Sequence, residues 1–120
     1  MERALEALPV PVYLKDRDGA IIFVNGAMAA YSDRPKDYFL GKKNSDFVSP
    51  SEAEALDRED QLVREGASAS SERTVHFEDR QRSYVISKER LRDTLHGDLI
   101  VGCLYDVSAQ QKIQAELSSA

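Results

Sequence analysis

From Ser71 to Asp106 the chain reads with a period of two, broken twice by turn residues. Thr74–Glu78, Ser83–Asp93 and Leu99–Asp106 carry the alternation, and Asp79-Arg80-Gln81 and His96-Gly97-Asp98 interrupt it. Successive side chains on a strand point to opposite faces, so this spacing predicts three antiparallel strands joined as a meander.

The first half of the chain supplies two more strands and the helices. Val12-Tyr13-Leu14 and Ala20-Ile21-Ile22-Phe23-Val24 flank Asp16-Arg17-Asp18-Gly19, which is hairpin chemistry: Asp bonds back to the backbone and Gly accepts a positive φ. Asn25 stands at the strand exit, where its side-chain oxygen can cap a helix over Ala27–Tyr31. Residues 32–49 read as irregular, with one helical turn at Pro35–Phe39 ended by Gly41. Ser49-Pro50-Ser51-Glu52 is a strong helix start, and the helix runs to about Glu65, with Gly66 as its left-handed stop. Its apolar stripe is thin (Ala53, Leu56, Val63), and Asp60 falls within it. Two strands, short helices and three strands predict an α+β domain on one five-stranded antiparallel sheet.

Both ends carry a heptad-like seam. Residues 1–8 predict a short helix with Met1, Leu5 and Leu8 in line, stopped by Pro9-Val10-Pro11. Ser108 caps a polar helix over 109–120 with Gln110, Ile113, Leu117 and Ala120 in line. The division expected is therefore a capping or dimerisation helix (1–8), a core domain (9–108) and an exit helix (109–120).

Composition narrows the function classes. A chain of 120 residues is one domain. A net charge of −5 argues against nucleic acid and against a basic membrane surface. No apolar run approaches the roughly 18 residues of a spanning helix, so no membrane insertion is expected. A single cysteine excludes an internal disulfide or a multi-cysteine metal site and fits a reducing, cytoplasmic compartment. Glycine-rich nucleophile elbows, phosphate loops and paired metal ligands are absent, so no catalytic residue is assigned and the domain is not expected to be an enzyme.

The order of elements, together with four local segments, resembles the PAS sensor domain over about residues 7–116. The segments are Lys15-Asp16-Arg17-Asp18-Gly19 followed by Asn25 and a short helix; Gly41-Lys42 and the Asp46-Phe47 loop leading to a helix with Asp60, Val63 and Gly66; Ser87-Lys88 through Leu91-Arg92-Asp93; and Asp106-Val107-Ser108, similar to the Asp-Ile/Val-Thr close of such domains. The resemblance implies a sheet order of 2-1-5-4-3, helices on one face and a ligand pocket between the two layers. It also implies a sensing function, in which an event in the pocket biases the exit helix and an output domain in the same polypeptide, such as a histidine kinase or diguanylate cyclase.

Cofactor chemistry of this family was tested on its own positions. Haem-binding members place a His on the long helix, and Ser51–Glu65 has none. Photoactive flavin members carry a Cys in a Gly-x-Asn-Cys motif, whereas this chain reads Gly41-Lys42-Lys43-Asn44-Ser45-Asp46. Neither haem nor a cysteinyl flavin is expected, and His96 reads as a solvated turn residue.

Alternation and resemblance together turn Tyr13, Ile22, Val24, Tyr84, Ile86, Gly102 and Leu104 inward, with Met28, Phe39, Phe47, Leu56 and Val63 closing the helical side. Gly102 in mid-strand marks ligand room or close backbone approach. Lys15, His76 and Lys88 are the polar residues that could share this face. Inward, Lys88 needs an anion, from Asp60 or a carboxylate ligand; outward, it is merely solvated, and one residue of register decides. Asp106 reads as a cap or as a latch on the exiting helix, with Val107 and Ser108 beside it. Leu99, Val101, Cys103 and Tyr105 form an apolar row on the outer sheet face, which with Leu5 and Leu8 predicts a homodimer. Two other classes remain beside the sensor: a ligand-free interaction module, and a small α+β enzyme.

Overall fold

The computed structural model describes residues 2–77, 80–93, 97–107 and 117. The chain runs α1 (Glu2–Glu6), β1 (Val12–Lys15), β2 (Ile21–Val24), α2 (Gly26–Ser32), two 3-10 turns (Lys36–Tyr38 and Asn44–Asp46), α3 (Pro50–Arg64), β3 (Ala69–Phe77), β4 (Arg80–Asp93) and β5 (Gly97–Asp106). The five strands form one antiparallel sheet in the order β2-β1-β5-β4-β3. The exit helix expected over 109–120, and Ser108 at its start, lie outside the described residues.

Local chemistry sets the element ends. Asp16 Oδ1 accepts from the backbone N–H groups of Asp18 (2.9 Å) and Ala20 (3.0 Å), and Gly19 takes φ +86°, which closes the β1–β2 turn. Ser49 accepts from Glu52 N–H at the start of α3, with Pro50 in the first turn. Asn25 accepts from Met28 N–H at 3.0 Å and caps α2. The turn at Asn44–Asp46 lies in a stretch read as irregular; there Asp46 Oδ2 accepts from Lys43 N–H at 2.9 Å.

A bulge in the first hairpin corrects one inward assignment. Tyr13 pairs with Val24 and Leu14 with Phe23, but Lys15 pairs with Ile21, so Ile22 has no partner on β1. The extra residue flips the local alternation. Ile21 enters the core in place of Ile22, which is 40% exposed. The other edge of β2 is occupied at Ile21, whose N–H donates to Lys42 O (2.9 Å) and whose carbonyl accepts from Gly41 N–H (2.8 Å).

Tyr13, Ile21, Val24, Met28 and Phe39 form the inner core, with Ile86 and Leu104 against it. Ala53, Leu56, Asp60 and Val63 are the buried stripe of α3. Phe47, expected inside, is 42% exposed: the Asn44–Asp46 turn leaves it beside Tyr38 and Phe39, with ring centroids 6.4 and 6.2 Å away. On the outer face Val12, Leu14 and Leu99 are buried within the single chain. Leu99 is therefore not part of an open apolar row. Val101 and Cys103 are half-buried and Tyr105 is exposed, as is Leu8, while Leu5 is half-buried. Burial pushes the Cys103 thiol up.

Candidate functional site

The inward rows of the sheet place two ammonium groups under α3. Lys15 follows Tyr13 on the inner face of β1, and Lys88 follows Tyr84 and Ile86 on the inner face of β4. Across the sheet, Lys88 pairs with Gly102, which pairs with Tyr13. A Cβ at Gly102 would overlap the Tyr13 ring, so the missing side chain is what lets the tyrosine lie across the strand. The room that Gly102 announces is taken by a residue of the chain itself.

Both lysines end on Asp60, whose carboxylate projects from the buried stripe of α3. Lys88 Nζ donates to Oδ1 at 2.9 Å, and Lys15 Nζ donates to Oδ2 at 3.0 Å. Asn44 completes the group: its Oδ1 accepts from Lys15 Nζ at 2.7 Å, and its Nδ2 donates to Asp60 Oδ2 at 3.0 Å and to Asp57 Oδ1 at 2.9 Å. Glu59 Oε1 forms a second ion pair with Lys88 Nζ at 2.7 Å. Lys15, Asn44, Asp60 and Lys88 are all buried. Two cations thus face two carboxylates, Asp60 and Glu59, in a charge-balanced cluster.

Electrostatics follows from that geometry. Burial acts most strongly on Asp60 and opposes its charge, but the combined pull and hydrogen bonds of Lys15 and Lys88 hold its carboxyl below the usual carboxylate range. Burial pushes the Lys15 ammonium below its ordinary value, in spite of Asp60 beside it. Removing one member of such a cluster leaves an uncompensated buried charge.

The inward alternative for Lys88 is the observed one, and Asp60 is its partner. The case for an anionic ligand rested on a cation lacking a counter-ion, and that premise is overturned: both lysines are paired within the chain. His76 does not join them by position. Its backbone pairs with Gln81, seven residues along β3 from Ala69, the partner of Lys88, or roughly 23 Å of strand. Its side chain, and all of His96, lie outside the described residues. Asn44 and Glu59 were missed by sequence reasoning. Asn44 stood in a loop searched for a cysteine, and Glu59 is adjacent in sequence to the one acid that the helical stripe singles out.

A second polar contact lies where the chain leaves the sheet. Asp106, the last residue of β5, accepts from Tyr31 Oη on α2 at 3.0 Å. Tyr84 pairs with Asp106 across the sheet, is fully buried, and meets the Tyr31 ring edge-on at 5.0 Å between centroids. Val107 beyond it is buried. Tyr31, unmarked in the sequence, gives Asp106 a partner on α2.

The comparisons agree with this architecture. A family profile described as the PAS fold matches residues 5–112. The chain belongs to the PAS-fold family. Solved PAS domains superpose on most of it. That of Bordetella pertussis BvgS is 22% identical over 100% of this chain and 92% of its own, with a TM-score of 0.66. A PAS domain of an HTR-like protein from Haloarcula marismortui is 20% identical over 88% of this chain and 92% of its own, with a TM-score of 0.73. A domain of a sensory box sensor histidine kinase/response regulator from Geobacter sulfurreducens is 20% identical over 87% and 90%, with a TM-score of 0.71. At these identities the likeness establishes the fold. No curated protein matches the chain. PAS domains are in general non-catalytic sensory modules, and among the described residues no helix is long and apolar enough to cross a membrane.

Proposed function

We propose that this PAS domain is a regulatory module of a cytoplasmic signalling protein. In this reading a change in how α2 sits on the sheet passes to the segment after Asp106 and from there to an output domain. The observation that carries it is the hydrogen bond from Tyr31 to Asp106. It joins a helix of the sensing face to the residue where the chain leaves the sheet, so the exit direction depends on helix position. A homodimer through the terminal helices and the exposed part of the outer face, around Leu8 and Tyr105, would give the exit helices a partner.

The interior supports a signal that does not require a vacancy. Tyr13 lies over Gly102, and the lysines carry their own counter-ions, which favours entry of the signal by rearrangement of side chains. A small molecule that displaces Tyr13 is the second reading.

The test uses NMR of the chain. Tyr31→Phe, which removes the phenol from Asp106, is expected to shift amide resonances of Leu104–Val107 as well as those of α2. Shifts confined to α2 would overturn the relay. Native mass spectrometry of protein purified from cells separates the two modes of entry, because a retained small molecule would favour the second.

A further inference from the structure

The domain has a second polar junction, at the opposite end of α2 from Tyr31. Asn25 is fully buried, and its carboxamide is saturated. Its Oδ1 accepts from Val12 N–H and Met28 N–H, both at 3.0 Å. Its Nδ2 donates to Leu5 O at 3.0 Å and Val10 O at 2.9 Å. Beside it, Glu6 Oε1 accepts from Gly26 N–H at 3.0 Å and from Lys36 Nζ at 2.7 Å. The C-terminal end of α1 and the first turn of α2 are therefore held by the same two side chains.

The helix on the far side of this junction is short. It has five residues, far fewer than an isolated helix needs in water. Leu8, just beyond it, is 41% exposed. Polar contacts to Asn25 and Gly26 tie its last turn to the start of α2. Tyr31 stands six residues after Asn25, about 9 Å along a helical rise. Two turns of helix thus connect the α1 junction to the contact with Asp106, and none of these bonds involves Lys15, Asp60 or Lys88.

We propose that α1 is a second signal input, in which a pull or twist on α1 loosens the Asn25–Glu6 junction, shifts α2 and changes the Tyr31–Asp106 contact without passing through the interior charge cluster. The inference rests on the exit contact of the previous section and adds a route into it. It makes the domain a coupler between the helix that enters it and the segment that leaves it. Asn25 is the pivot and Tyr31 the far arm.

Hydrogen exchange and 13C/15N NMR of the chain test it, with Glu6→Ala and Asn25→Asp as two independent lesions. Glu6→Ala removes the acceptor for Gly26; Asn25→Asp keeps both acceptors, and with them the α2 cap, and deletes the donors to Leu5 O and Val10 O. Glu6→Ala is expected to speed exchange of the Gly26 amide about 5-fold, the effect of roughly one lost cap, and Asn25→Asp to loosen α1. Each is also expected to shift the Tyr31 13Cζ resonance and to move the Asp106 and Val107 amides toward their positions in Tyr31→Phe. The proposal is overturned if α2 stays fully protected in both variants. It is equally overturned if α2 loosens while Tyr31, Asp106 and Val107 keep their wild-type resonances; the exit contact would then stand alone. If Tyr31→Phe itself leaves Asp106 and Val107 unmoved, the exit contact fails and the coupler with it.

Discussion

The Lys15–Asp60–Lys88 cluster and the Tyr31–Asp106 contact both tie a helix to the sheet, and they differ in almost every physical respect. The cluster is buried and uses two ammonium groups on one carboxylate, with Asn44 and Glu59 filling remaining sites. The exit contact joins two half-buried residues through a hydrogen bond from a phenol to a carboxylate. Charges held out of water have no cheap alternative partner, so the cluster acts as a fixed point. A phenol–carboxylate bond at a half-buried site is worth roughly 1–2 kcal/mol and can be exchanged for water. The contrast separates a fixed anchor on α3 from a breakable contact at the exit.

The largest effect should come from the anchor. Asp60→Ala leaves two buried lysines short of their shared carboxylate and is expected to cost about 3–5 kcal/mol in urea unfolding. Replacing all four charges together (Lys15→Met, Lys88→Met, Asp60→Leu, Glu59→Gln) should recover most of that loss, since well-packed uncharged groups often match a buried ion pair. A quadruple variant no more stable than Asp60→Ala would mean that the charges do more than balance one another.

Acid should probe the same anchor. The folded-state pKa of Asp60 lies below its unfolded value, so its stabilisation is fully present above about pH 4 and is lost as pH falls through the folded value. Wild type minus Asp60→Asn, followed by unfolding across pH 2–7 (roughly the carboxylate range and above), should be flat above about pH 4 and fall below it. A difference that grows toward acid pH would contradict the sign.

Next in size is Gly102→Ala, whose methyl meets the Tyr13 ring. A cost of about 1–3 kcal/mol is expected, with partial recovery in the double variant carrying Tyr13→Leu. Additive losses would show that Tyr13 does not need the glycine.

The smallest change is expected from Tyr31→Phe, roughly 1–2 kcal/mol, with the core intact by near-ultraviolet circular dichroism. A loss as large as that of Asp60→Ala would erase the distinction between anchor and exit contact.

How much of this was legible in the sequence follows from the range of each interaction. The five strands, their order through the PAS resemblance, the α3 cap and the Asp16 turn depend on local chemistry or on ordered motifs and stand as read. The strand ends do not: β3 starts earlier, at Ala69, and Arg80, Gln81, Gly97 and Asp98, read as turn residues, belong to β4 and β5, because cross-strand pairing extends the ladder beyond what turn propensity marks. Ile22 failed because a bulge is a pairing property: nothing within Ile21-Ile22-Phe23 says which of two isoleucines β1 will meet. Asp60 was visible as a charge inside an apolar stripe, and Lys88 as a residue needing an anion. Their union with Lys15 and Asn44 spans up to 45 residues of sequence and needs the folded layers. Tyr31 carried no local signal at all, because its partner lies 75 residues away.

Native-state hydrogen exchange of the unmodified chain tests the anchor against the exit most directly. Leu56–Val63 amides should exchange only with global unfolding, while those of Ala29–Ser32 and Tyr105–Val107 open at a distinctly lower free energy. If the α3 amides open first, or both regions open together at every denaturant concentration, the account of a fixed anchor and a breakable exit is wrong.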